Sequence, residues 1–251
     1  MTLDKQITKL LKSAKAYLEV PSGNKKQVES LHTLRVTARK LVSVSAPETY
    51  QIELCKHIIQ SSNKLRDLDV FTTEILPAFP KKLRSSMTSL YQGLEEFREQ
   101  LDIEYKLWLE ADALLEIQDL LTDSEHIKQK SSGRPERNKL ELNDIHKRLQ
   151  KNIKLIQKVD VEDKHIHKVR LKIKQLHYQL EHFYPQEEKL IKKCAYLQDE
   201  LGHFHDLCQG IKLLKKHQDL IQKENLTQYL GHLEKNKVAM LNTIRSKCHK
   251  K

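Results

Sequence analysis

The sequence has little of what sheets, membranes and disulfide frameworks require. Six glycines and six prolines in 251 residues are too few for the tight turns of a β-rich chain. Four cysteines, Cys55, Cys194, Cys208 and Cys248, form no Cys-x-x-Cys pair. They predict reduced, mostly buried thiols and a cytoplasmic protein. No apolar run approaches the ~18 residues of a membrane span, and the N-terminus mixes lysine with leucine where a signal peptide would be apolar. Aromatic residues make up 6% of the chain, few for stacking bases. There is no Gly-x-x-x-x-Gly-Lys loop, no Gly-x-Ser-x-Gly elbow and no His-x-x-x-His pair, which argues against P-loop, hydrolase-elbow and helical zinc-protease chemistry.

Positive charge is plentiful and unevenly placed. Lys and Arg exceed Asp and Glu by 11. Residues 95–119 carry nine acids and two bases, so the remainder of the chain holds +18. A surface of that sign attracts polyanions.

The chain also contains itself twice. Leu31-His32-Thr33-Leu34-Arg35-Val36-Thr37-Ala38-Arg39-Lys40-Leu41 returns as Ile166-His167-Lys168-Val169-Arg170-Leu171-Lys172-Ile173-Lys174-Gln175-Leu176. Each copy sets a histidine, an arginine and a second cation at i, i+3 and i+7, one ridge of a helix. Later in each half a cysteine precedes an aspartate by 12 residues, Cys55 to Asp67 and Cys194 to Asp206. The second copy holds four extra residues between its two elements, and a turn near Tyr184-Pro185 is expected to absorb them.

Apolar spacing is helical almost throughout. Ile7, Leu10, Ala14 and Tyr17 mark a first helix, Leu31, Leu34, Ala38 and Leu41 a second, and Leu54, Ile58, Leu65 and Leu68 a third. A long fourth is expected over 82–121, then a polar linker over 122–138, then helices near 140–159, 165–183, 186–216 and 226–245. The expected architecture is all-α. It comprises two four-helix bundles related by a pseudo-twofold, spanning 1–121 and 139–251 and arising by internal duplication.

His167, Arg170, Lys174 and His177 each stand one residue after the seam Ile166, Val169, Ile173 and Leu176. One residue turns a helix by ~100°, so these cations lie at the shoulder of the core, facing a neighbour or a groove. His32, Arg35 and Arg39 do the same in the first half, with Lys40 beside them. Residues 164–177 hold five Lys or Arg, three His and no acid, and a bound polyanion would relieve the repulsion. Arg66 and His205 are expected on the ligand side, with Asp67 and Asp206 behind them fixing a tautomer or rotamer.

His-x-x-Arg-x-x-x-Arg-Lys-Leu from His32, with Leu-Arg-Asp-Leu-Asp-Val from Leu65, resembles the N-terminal half of the CHAD family. His-x-x-Arg-x-x-x-Lys-x-Leu-x-Tyr from His167, with Leu-Gln-Asp-Glu-Leu-Gly-x-x-x-Asp from Leu197, resembles its C-terminal half. The resemblance implies two helical bundles whose basic central groove or pore binds inorganic polyphosphate without catalysis, metal or cofactor. Val42 and His177 stand where the family often has a further arginine, and Gln175 where a base is expected, so the ridge is thinner than usual. The clustered glutamates of the CYTH-type triphosphatases often fused to the family are missing. Any such partner, or another polyphosphate-metabolising protein, is therefore expected as a separate chain.

Three other readings compete, one of them a helical scaffold whose partner is an acidic protein, since a carboxylate-rich surface presents similar charge at lower density. Nonspecific binding of nucleic-acid backbone needs only the cations. A metal phosphohydrolase rests on the dipeptide His205-Asp206, which lacks the converging ligands a metal centre requires.

Overall fold

The computed structural model describes residues 3–22, 24–44, 50–128, 139–158 and 161–249, and no strand occurs among them. The helices in chain order are α1 (Leu3–Glu19), α2 (Lys25–Val44), α3 (Tyr50–Ser61) and α4 (Asn63–Val70). A π-helical turn (Phe71–Ile75) leads into two short helices, α5 (Leu76–Ala78) and α6 (Lys81–Arg84). Then come α7 (Thr88–Trp108), a second π-turn (Leu109–Ala113) and α8 (Leu114–Lys128). The rest is α9 (Leu142–Gln157), α10 (Asp163–Phe183), α11 (Glu188–Lys216), a 3₁₀ turn (Gln218–Leu220) and α12 (Lys223–His249).

The chain folds into two compact units. One comprises Met1–Asp69 with Leu94–Lys139, the other Val70–Gly93 with Leu140–Lys251. The division expected from sequence kept 70–93 with the first half, and the contacts of this segment assign it to the second. The expected linker is also partly helical, since α8 continues to Lys128, while 129–138 lie outside the described residues.

In the first unit α1 packs on α2 and α8, and α2 on α3. The seams read from sequence meet there: Ile7, Leu10, Ala14 and Tyr17 with Leu31, Leu34, Ala38 and Leu41, closed by Ile58, Leu65, Leu109 and Ile117. Each of these leucine and isoleucine side chains contributes roughly 1.5–3 kcal/mol on leaving water. In the second unit α10 lies between α9 and α11 and buries Ile166, Val169, Ile173, Leu176 and Leu180 against Ile145, Leu149, Leu197, Leu201 and Phe204.

Segment 70–93 joins the second unit through aromatic packing. Phe79 meets Tyr229 edge to face at 5.9 Å, and the Tyr229 hydroxyl lies 2.7 Å from Ser86 Oγ. Gly210 permits the approach: a Cβ there would stand 3.0 Å from Ile75 Cδ1 and 3.4 Å from Phe71 Cδ2. The π-turn has a local cause in Pro77, which has no N–H and whose ring would strike the carbonyl four residues back. The chain widens instead, and Leu76 N–H bonds Phe71 O, five residues back.

The helix α10 runs sixteen residues past His167, and α2 is described as far as twelve past His32; residues 45–49, on which the place of the four extra residues depends, lie outside the described residues. Among the described residues no helix is long and apolar enough to cross a membrane.

Candidate functional site

Packing of α10 on α11 carries one shoulder residue of the second unit, His167, into a cleft, while Arg170, Lys174 and His177 lie outside its lining. His167 is half-buried, and its Nδ1 lies 3.1 Å from Nδ1 of His205, with ring centroids 4.5 Å apart. One imidazole donates and the other accepts, so the intact pair accommodates one such proton and is split if both Nδ1 atoms carry one. The cleft measures about 590 Å³ and is also lined by Lys164 and Lys168 of α10 and by Lys212 and Lys215 of α11. Its two carboxylates, Asp163 and Glu234, both bind Lys237 Nζ, at 3.0 and 2.8 Å. Lys164 also pairs at the surface with Glu162, at 2.6 Å. Burial holds His167 below the ordinary imidazole range, and the charges of Arg170 and Lys212 push it the same way.

The ridge of α10 is shorter than its spacing suggests. Arg170 and Lys174 are half-buried at the shoulder, but His177 is 8% exposed. Its Nδ1 lies 3.1 Å from Gln198 Oε1, and its Nε2 is 3.8 Å from a Glu181 carboxylate oxygen. His177 is thus engaged with α11 instead of continuing the open row of cations.

In the first unit the same spacing divides between surface and interior. His32 is exposed, and Arg39, Lys40, Arg66 and Asp67 are half-buried. Arg35, expected beside them as a ligand group, is 3% exposed. Its Nη1 donates to Ile59 O at 2.7 Å and Ser62 Oγ at 2.5 Å, and its Nη2 to Asn63 Oδ1 at 2.8 Å. These acceptors cluster at the break between α3 and α4, where an interrupted helix leaves carbonyls without amide partners. Arg35 therefore ties α2 to that break. Burial pulls its guanidinium down to about 9, with Arg39 and Arg66 adding to the effect and Tyr105 and Asp67 opposing it. At neutral pH it stays charged.

The carboxylates of greatest structural weight are others than those singled out from sequence. Asp69 is wholly buried and accepts from Arg98 Nε at 2.6 Å, while Arg98 Nη1 donates to Gln27 Oε1 at 3.1 Å. Asp102 is fully buried too, accepting from Tyr17, from Ser22 and, at 2.9 Å, from Gln27 Nε2. Burial pushes the Asp102 carboxyl up, but these hydrogen bonds and Lys106 outweigh it and hold it below the ordinary range. A signal was present: Arg98 is the one arginine among nine acids in 95–119, a cation placed where it meets carboxylates.

His205 and Asp206, adjacent in sequence, part company in space. Asp206, expected to brace the ridge, lines a separate cleft of about 370 Å³ with Glu74, His203 and His232, while His205 faces His167. Among the described residues no three His, Cys, Asp or Glu converge as metal ligands.

Comparison with known proteins agrees with this architecture. The chain resembles the crystal structure of the CHAD domain from the plant Ricinus communis with a TM-score of 0.76 and 20% identity. The match covers 98% of this chain and 88% of that one. No curated protein sequence matches. The sequence pattern of the CHAD domain fits residues 2–215, which takes in both histidine motifs, α4 and nearly all of α11. With its two motif copies on α2 and α10 and all-helical units around them, the chain belongs to the CHAD domain family.

Proposed function

We propose that the chain binds inorganic polyphosphate, or a polyanion of similar charge density, on its cationic helix shoulders and leaves it uncleaved. The reading is carried by the cleft around His167 and His205, where four lysines stand with two imidazoles and the two carboxylates are already bound to Lys237. Ammonium and imidazole donors match a row of phosphate oxygens, which only accept. His32, Arg39, Lys40 and Arg66 offer a second surface of the same chemistry on the first unit, with Arg35 supporting α2 from within. Arg170 and Lys174 extend the surface of α10. Binding without hydrolysis fits the separate clefts taken by His205 and Asp206. Four unbonded cysteines fit a cytoplasmic setting, where polyphosphate-metabolising proteins are the natural class of partner.

The test is a titration of defined-length polyphosphates against the full chain, with duplex DNA and RNA at matched phosphate concentration. Polyphosphate is expected to bind most tightly, with log affinity falling steeply against log salt as counterions are released. Lys168→Ala with Lys212→Ala should weaken it. Tighter binding of either nucleic acid would move the reading to backbone recognition.

A further inference from the structure

The acidic segment has a surface of its own, and it is opposite in sign to the clefts. Of the two bases in 95–119, Arg98 is 4% exposed and bound to Asp69, and Lys106 is held by Asp102 at 3.4 Å and by Val20 O at 2.9 Å. Both cations turn inward. The outer face of α7 and α8 therefore presents Glu96, Glu99, Glu104, Glu110, Asp112 and Asp119, all exposed. No polyanion would approach it.

A line of exposed apolar residues runs through these acids. Ile103 is 52% exposed, Leu107 63% and Leu115 60%, with the small Ala111 between the last two. Four-residue steps drift ~40° each around an α-helix. The wider π-turn over Leu109–Ala113 removes part of that drift, so the residues stay on one face. Tyr50, 57% exposed, lies beside Glu116, next to Leu115 of the line. Of the eight large apolar side chains exposed among the described residues, four are in this patch. Clustering of this kind marks an interaction surface, whereas single exposed leucines do not.

We propose that the Ile103–Leu107–Leu115 line docks a basic amphipathic helix of another protein. Its leucines or isoleucines would cover the line, and its flanking lysines or arginines would meet Glu99, Glu104, Glu110 and Asp112. Charge complementarity selects this occupant. A second copy of the chain is a poor match, because the lysines of α9 (Lys147, Lys151, Lys154) sit on a helix whose Ile145, Leu149 and Ile156 are already in its own core. Two copies would also meet with a net charge of +11 each. An acidic patch on a polyanion binder leaves the basic surfaces free while a protein partner is held.

The experiment uses the full chain and a synthetic helical peptide of leucine and lysine, with a leucine–glutamate peptide as counterpart. The wild type is expected to bind the lysine peptide and not the glutamate one. Leu107→Ser with Leu115→Ser should weaken binding about tenfold or more, given the apolar area lost, with the circular dichroism spectrum, melting temperature and polyphosphate affinity unchanged. Equal binding by wild type and variant would mean that charge alone acts, and the proposal falls. It falls equally if the wild type ignores the lysine peptide, or if sedimentation shows self-association that the variant abolishes, which would assign the line to a second copy.

Discussion

Arg98 Nε donates to Asp69 Oδ1 across 2.6 Å, with both side chains almost wholly removed from water. Breaking a buried pair strands one charge, which costs about 3–5 kcal/mol, whereas replacing both by apolar residues is often neutral. Arg98→Met is therefore expected to lower urea-unfolding stability by about that amount. Asp69→Leu combined with Arg98→Met should recover most of it. If the double variant is as unstable as the single one, the pair is not what holds α4 to α7.

Arg35 and Arg39 share one ridge in sequence but have different tasks. Arg35→Ala removes the guanidinium from Ser62 Oγ and Asn63 Oδ1, leaves Ile59 O with only the longer 3.3 Å bond from Ser62 Oγ, and should cost about 1–3 kcal/mol of stability. Arg39→Ala with Lys40→Ala should leave the melting temperature nearly unchanged and weaken polyphosphate binding. The reverse pattern, with Arg35→Ala stable and binding-deficient, would return Arg35 to the ligand side.

Helical periodicity made the seams legible: Leu31, Leu34, Ala38 and Leu41 are all buried, as are Ile166, Val169, Ile173 and Leu176. A period states which residues face a core. It does not state which helix covers the shoulder beside them. Arg35 and His177 are shoulder residues that neighbours closed over, the break at Ser62 in one case and Gln198 in the other. His167 shares their position in the pattern and stays at a cleft. The assignment of 70–93 was hidden for a related reason. Phe71, Ile75 and Phe79 announce burial but not the partner, which is set by the space over Gly210 and the ring of Tyr229.

That space gives a stability prediction. Gly210→Val would press new methyl groups toward Ile75, Phe71 and Leu233, already 3.0 to 3.4 Å from a modest Cβ. Overpacking of this kind costs about 1–3 kcal/mol, read as a lower unfolding midpoint. Proteolysis should then cut within 70–93 before the core helices. A variant as stable as the wild type would mean that the segment shifts at little cost.

Binding and hydrolysis are separable by product length. Because His205 and Asp206 line different clefts, polyphosphate incubated with the chain and Mg²⁺, Mn²⁺ or Zn²⁺ should be recovered at its original length on gels. Shortening that vanishes in His205→Ala or Asp206→Ala would instead make the chain a phosphohydrolase.

Protons should act in opposite directions on folding and on binding. His167 and His217 lie below their ordinary value of 6.5, through burial first and neighbouring cations second. The unfolded chain therefore binds more protons than the folded one, and unliganded stability should fall as pH drops below about 6.5. A bound polyphosphate reverses the electrostatics around His167. It would place negative charge in a cleft where Lys212, with Arg170 nearby, now disfavours the imidazolium, and where Asp163 and Glu234 are occupied by Lys237. Binding should take up protons, and affinity should rise as pH falls from about 8 to about 6. His167→Gln with His205→Gln should flatten that rise. His177→Gln should leave it intact, since His177 is buried against Gln198. An unchanged pH profile in the first variant would show that the imidazole pair supports α10 on α11 without meeting phosphate.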